Sequence, residues 1–179
     1  EKGHLNDVHY LLGSHIFPCS SKGEQLGVSV GPTLATTKLN AAFSGLSSHA
    51  ALPEKGHNAM LSMASAILNL HAIPRHSGGP SQINVGTAHA GSGRNVICDH
   101  AELELEVRGG STEINTYMEN YARTILKASA DLHSCTCDIQ TIGSAPSVIN
   151  SPDMISLLQD TAKDLRLTMR DPDPSASFS

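Results

Sequence analysis

The stretch Ala101–Arg108, AELELEVR, constrains this chain more than any other. Ala101, Leu103, Leu105 and Val107 alternate without interruption with Glu102, Glu104, Glu106 and Arg108. A period of two puts all four apolar side chains on one side of an extended strand, whereas a helix would scatter them around its circumference. A strand apolar on one side only belongs to a sheet with one face in the core and the other bare. The chain must therefore supply cover for one sheet face and leave the opposite face polar. By parity, Arg108 belongs to that open face.

The rest of the central region supplies such a sheet and its cover. Leu39, Ala41 and Phe43 alternate with Lys38, Asn40 and Ser44, a second half-buried strand. Gly45, Ser47 and Ser48 break that run, and Pro53 and Gly56 shape the approach to a helix from about Asn58, its N-cap, to Ile73. Met60, Met63, Ala64 and Ile67 fall on one helical stripe, which Leu61 and Leu68 widen, and Pro74 stops the helix. After the loop Ser77–Pro80, Gln82–Thr87 alternates again, with Ile83, Val85 and Thr87 expected on one face. Gly86, Gly91 and Gly93 follow, and a longer strand is expected from about Asn95 to Arg108. A second helix, capped by Ser111, carries an apolar seam of Ile114, Met118, Tyr121, Ile125, Ala128 and Leu132. Cys135, Cys137 and Ile139 then share one face of a last strand. The order β-α-β-β-α-β, with one apolar face per strand and one stripe per helix, predicts an α+β domain of ferredoxin-like architecture: a four-stranded antiparallel sheet with both helices on one side.

The flanks have a different character. Residues 1–35 open with a short apolar run, Tyr10–Leu12, expected to be a short buried strand leading to His15, followed by a Ser- and Gly-rich segment. Residues 147–179 begin with a helix signal, Ser151 as N-cap and Pro152 at the first helical position, with Met154, Leu157, Leu158, Ala162 and Leu165 at helical spacing. They end in MRDPDPSASFS, which has no core pattern. The expectation is a ferredoxin-like unit over 36–146, inserted into a second domain of which 1–35 and 147–179 are two truncated edges.

Composition removes some function classes. A formal net charge of -5 with no cluster of Lys and Arg argues against a nucleic-acid partner, whose phosphates need a basic footprint. No apolar run approaches the length of a membrane span. No signal peptide is evident, and a chain opening on Glu1 is expected to lack its natural N-terminus. The four cysteines, Cys19, Cys98, Cys135 and Cys137, form no CxxC pair, which favours reduced thiols and a cytoplasmic protein. Cys135 and Cys137 read as two small core thiols rather than as metal ligands. His15 fits either a core histidine or a metal ligand, and one histidine makes no metal site. His49 lies on a loop held from both sides by regular structure, where binding and catalytic side chains tend to be found, although a polar loop histidine of no consequence also fits.

Three separated segments carry a resemblance. FSGLSSHAALPEKGHNAMLSMASAILNLHAI, then INVGTAHAGSGRNVI, then ELEVRG resemble the dimerisation (lid) domain of the M20 metallopeptidase and amidohydrolase family. The branch that ATTK, PEKGHNA and GSGRNV look most like is that of the aminobenzoyl-glutamate hydrolase A-subunit-like proteins. GSHIFP looks like the segment before the lid, and SPDMISLLQ like the return into an α/β catalytic domain. The resemblance implies roles residue by residue. His49, in SSHAALP, matches a lid histidine that reaches the active site of the partner protomer and polarises the scissile carbonyl. Asn95, in GRNVI, matches an asparagine that binds substrate near the same oxygen or its carboxylate. Arg108, in EVRG, matches an arginine that pairs with the substrate's free carboxylate, and His15, in GSHIF, matches a metal ligand. The resemblance also implies a divalent metal cofactor, two zinc or manganese ions per complete site, and a homodimer formed through the lid. It leaves room for a second related subunit, and implies an N-acyl or aminobenzoyl amino acid such as p-aminobenzoyl-glutamate as substrate.

The sequence departs from that pattern in two ways. The paired acidic metal ligands and the final histidine have no counterpart, so the chain alone is expected to be an inactive central portion of the enzyme. Cys98 stands where a proline commonly follows Asn-Val-Ile. A second reading is a stand-alone ferredoxin-like module that dimerises or binds a small ligand without catalysis.

Overall fold

The computed structural model of the chain describes residues 6–13, 27–28 and 33–169. In chain order its elements are β1 (Gly27–Val28), β2 (Ala35–Ser44), β3 (Ser48–His49), a 3-10 turn (Pro53–Lys55), α1 (Ala59–His71) and β4 (Ser81–Ala90). They continue with β5 (Val96–Ile97), β6 (His100–Gly109), α2 (Thr112–Leu132), β7 (Thr136–Ala145), α3 (Pro152–Asp164) and β8 (Thr168–Met169). The chain divides into two compact units. One contains β1, α3 and β8, in which β1 and β8 pair in parallel. The other contains every element from β2 to β7. Its two ends are tied by a bridge between Thr33 and Val148, each backbone N–H donating to the other's carbonyl.

The larger unit is the expected α+β, ferredoxin-like domain. Its antiparallel sheet has the order β4-β6-β2-β7, so the strand with the cleanest alternation lies inside the sheet, beside β2. Register follows parity: Leu39 faces Leu105, Ala41 faces Leu103 and Phe43 faces Ala101, all on the covered side. These side chains and Val107 are essentially solvent-free, and burying each Leu, Val or Phe among them contributes about 1.5–3 kcal/mol. Both helices pack on this side, together with Leu70, Met118 and Leu126. Ser111 caps α2 by accepting from the Ile114 amide, and Asn58 caps α1 by accepting from the Met60 amide. Ser151 precedes α3 as expected, but its side chain makes no capping bond.

Several details differ from the sequence reading, each for a physical reason. The buried stripe of α1 is Ala59, Ser62, Ala66 and Leu70, while Met60, Ala64, Leu61 and Leu68 face outward and Met63 and Ile67 flank the core. Small side chains let α1 lie close to the sheet and to α2, so size, not hydrophobicity, chose the face. The seam of α2 is likewise rotated: Ile114, Met118, Ala122, Leu126 and Ala130 are buried, whereas Tyr121, Ala128 and Leu132 are exposed and Ile125 is half-buried. In β4 a bulge at Gly86 shifts the register, placing Thr87 opposite Glu104 on the polar side instead of beside Ile83 and Val85. The strand expected from Asn95 to Arg108 is broken at Cys98-Asp99, because Val96 and Ile97 leave the main sheet to pair with β3. Tyr10, Leu11 and Leu12 form no strand and are exposed.

Candidate functional site

The loop between β2 and α1 is fixed almost entirely by backbone bonds. Leu46 and His57 exchange N–H···O bonds of 3.0 and 2.8 Å, closing the loop at its base. Gly45 is required there, since a Cβ on it would collide with the His57 carbonyl oxygen. At the tip, His49 and Ser48 pair with Val96 and Ile97, and the Ala50 amide donates to the Asn95 carbonyl at 2.9 Å. Two segments far apart in sequence are thus stitched together, and this brings the backbones of His49 and Asn95 close to each other. Cys98 secures the second segment: its carbonyl accepts from the Ala59 amide and its buried thiol donates to the His100 carbonyl at 3.0 Å. It anchors the segment through hydrogen bonds, in place of a proline ring.

The ring of His49 is oriented by its own loop. The Ala51 amide donates to His49 Nδ1 at 3.1 Å, and the Leu52 amide donates to the His49 carbonyl at 2.8 Å. A backbone N–H can only donate, so Nδ1 must present its lone pair, and the neutral ring carries its proton on Nε2. His49 is exposed, so that Nε2–H is available to a ligand.

Arg108 lies elsewhere. It is on the open sheet face, as parity requires, but at the far end of β6. Its Nε donates to Glu106 Oε1 at 2.7 Å, and it is paired across the strands with Thr36 and Gln82. From His100, next to the His49 loop, to Arg108 is eight residues of strand, about 26 Å at roughly 3.3 Å per residue. The structure therefore joins His49 to Asn95 and separates both from Arg108. An open cleft of about 390 Å³ surrounds Arg108, lined also by Arg75, Ser81, Gln82, Asn84 and Glu106. Sequence reasoning passed over Arg75, because a lone arginine after Pro74 has no pattern around it.

Metal-holding groups can be tested directly. Among the described residues no three His, Cys, Asp or Glu side chains converge on one point. His15 lies outside the described residues. Cys135 and Cys137 behave as core thiols: Cys135 is buried, and burial pushes the Cys137 thiol up to about 11, which keeps it protonated and unreactive. The described residues thus do not fit a two-ion centre.

The comparison with known proteins is decisive for the family. Residues 33–133 match the family model described as the peptidase dimerisation domain of M20 proteins. The chain belongs to the M20 peptidase dimerisation-domain family. It is 39% identical over 166 residues to the A subunit of the p-aminobenzoyl-glutamate hydrolase of Escherichia coli, covering 90% of this chain and 37% of that protein. It is 37% identical to the indole-3-acetyl-aspartic acid hydrolase of Enterobacter agglomerans, over 89% of this chain and 37% of the relative. A crystal structure of an aminobenzoyl-glutamate utilization protein from Klebsiella pneumoniae superposes with a TM-score of 0.71 at 36% identity, over 81% of this chain and 38% of that one. The chain therefore spans little more than a third of the length of the relatives it matches. Among the described residues, no helix of this M20 domain is long and apolar enough to cross a membrane.

Proposed function

We propose that this chain is the dimerisation lid of a metal-dependent amidohydrolase, which hydrolyses the amide bond of an N-acyl or aminobenzoyl amino acid. The observation that carries the reading is the tautomer of His49. A neutral ring whose Nδ1 accepts from the Ala51 amide presents Nε2–H as a placed donor. Attack on an amide carbonyl builds negative charge on its oxygen, and a pre-positioned N–H stabilises that charge without reorganising. Asn95, held beside His49 by the Ala50 amide, adds a side-chain amide for the same oxygen or for a neighbouring carboxylate. Arg108, whose guanidinium already grips one carboxylate, is suited to the substrate's free carboxylate.

Strand geometry adds a condition. About 26 Å of β6 is more than an acyl amino acid can bridge, so one lid cannot apply His49 and Arg108 to the same substrate. The site is shared in a homodimer: one protomer supplies His49 and Asn95, and its partner supplies Arg108. The names of the relatives support an acyl derivative of an acidic amino acid as substrate, p-aminobenzoyl-glutamate among them, and leave room for a second type of subunit. The divalent ions, two of zinc or manganese, belong to residues other than those described, His15 included. The lid and its flanks, 36–146 with 1–35 and 147–179, would then be an insertion and the edges of the catalytic domain receiving it. Free thiols at Cys98, Cys135 and Cys137 support a cytoplasmic setting.

The test is protomer mixing in the complete enzyme. His49→Ala and Arg108→Ala chains are co-refolded and assayed at substrate concentrations well below KM. A shared site gives each mixed dimer one intact centre, so activity rises above that of either parent. If mixed dimers form and activity stays at the parental level, the division of the site between protomers is wrong.

A further inference from the structure

Arg75 is the residue of the Arg108 cleft that no role yet accounts for. It occupies the connection between α1 and β4, and both of its neighbours are fastened. The Pro74 carbonyl accepts from Tyr117 Oη at 3.0 Å, and the His76 amide donates to Ser81 Oγ at 3.0 Å. The His76 ring also meets Tyr117 edge-on, with centroids 5.1 Å apart, and the Gly110 amide holds the Pro80 carbonyl at 2.8 Å. A connection bound at so many points presents Arg75 in one place: beside the end of β4, on the cleft that Arg108 lines from β6. Among the described residues Arg75 has no ion-pair partner, and it is exposed.

Among the described residues, the charges lining the cleft do not balance. Among the described residues that line it, Glu106 is the one carboxylate, and Arg108 already holds it, while Arg75 adds a second guanidinium. Gln82 and Asn84, on the same face of β4, contribute amides that can bond a carboxylate or its neighbours without adding charge. Among the described lining residues, two arginines stand against one carboxylate in a cleft of about 390 Å³, within the volume range of small-ligand sites. A monocarboxylate would need only one of the two.

We propose that Arg75 is a specificity-determining residue, which binds the side-chain carboxylate of an acidic amino acid while Arg108 takes its α-carboxylate. This rests on the hydrolase reading above and deepens it: the side-chain carboxylate of the acidic amino acid gains a residue of its own. Neither arginine touches the scissile amide, so the selectivity arises in binding and not in the chemical step.

The experiment compares p-aminobenzoyl-glutamate with p-aminobenzoyl-glutamine, an isostere that keeps the α-carboxylate but has an uncharged side chain, in the complete enzyme. Arg75→Gln should raise KM for the glutamate substrate on the order of tenfold, with kcat unchanged, since it removes a partly screened charge-assisted pair. KM for the glutamine substrate should move far less, since its amide oxygen offers Arg75 a neutral acceptor only, and circular dichroism reports that the variant is folded. Arg75→Lys should restore most of the preference for glutamate, and added salt should weaken that preference in the wild type but not in Arg75→Gln. Equal losses on both substrates, or no loss on either, overturn the proposal while leaving the hydrolase reading intact. A wild-type enzyme inert towards both substrates overturns the hydrolase reading, and this proposal with it.

Discussion

The two ends of the sheet solve the placing of a polar group in different ways. At one end, His49 is held by main-chain bonds: the Leu46–His57 bridge, the β3–β5 pair and the Ala51 amide on its ring. At the other, Arg108 is held by its strand position and by a side-chain ion pair with Glu106. Backbone bonds restrict where a group sits and also choose its tautomer, which suits charge stabilisation during reaction. A guanidinium in an ion pair can exchange one carboxylate for another, which suits recognition. The difference matches the proposed division of labour, reaction at one end and binding at the other, even though both face polar surroundings.

The sharpest way to break this comparison is to delete each group in the complete enzyme. His49→Ala should lower kcat by on the order of 10²–10³-fold with little change in KM and none in metal content, as for loss of an oxyanion donor. Steady-state kinetics with metal analysis checks it, and a change confined to KM would assign His49 to binding. Arg108→Ala should do the reverse, raising KM by about 10- to 100-fold with kcat nearly intact, because a non-reacting carboxylate is bound equally in ground and transition states. A fall in kcat as large as that for His49→Ala would erase the distinction.

A smaller effect tests the backbone anchoring itself. Gly45→Ala drives a methyl group into the His57 carbonyl and should destabilise the domain by about 1–3 kcal/mol, read from urea or thermal unfolding. Part of the loss should appear locally, as faster amide exchange at Leu46 and His57, whose mutual bonds must open. Unchanged exchange there would mean that the loop is held by other contacts.

Much of this was legible in the residues. The alternation of Ala101–Arg108 and of Leu39–Phe43 determined strands with one covered face, because a period of two admits no other regular structure. Ser111 and Asn58 were readable as caps because a short side-chain acceptor before an apolar helix has one common use. The order of elements then left one compact arrangement for two helices and four strands. The motif around His49 and the position of Arg108 on the open face were equally plain. What the residues could not supply was everything that depends on a neighbour brought from afar. Which stripe of α1 is buried was decided by how closely the sheet and α2 let it approach, so Ala59, Ser62 and Ala66 displaced Met60, Leu61 and Leu68. The Gly86 bulge turned Thr87 over, since an unpaired residue reverses every later side chain in an edge strand. Only the pairing of β3 with β5 made His49 and Asn95 neighbours, and only the length of β6 set them apart from Arg108. Local periodicity is a property of consecutive residues and is written in the chain. Distance between residues far apart in sequence is a property of the packed fold, and tertiary structure alone decided it.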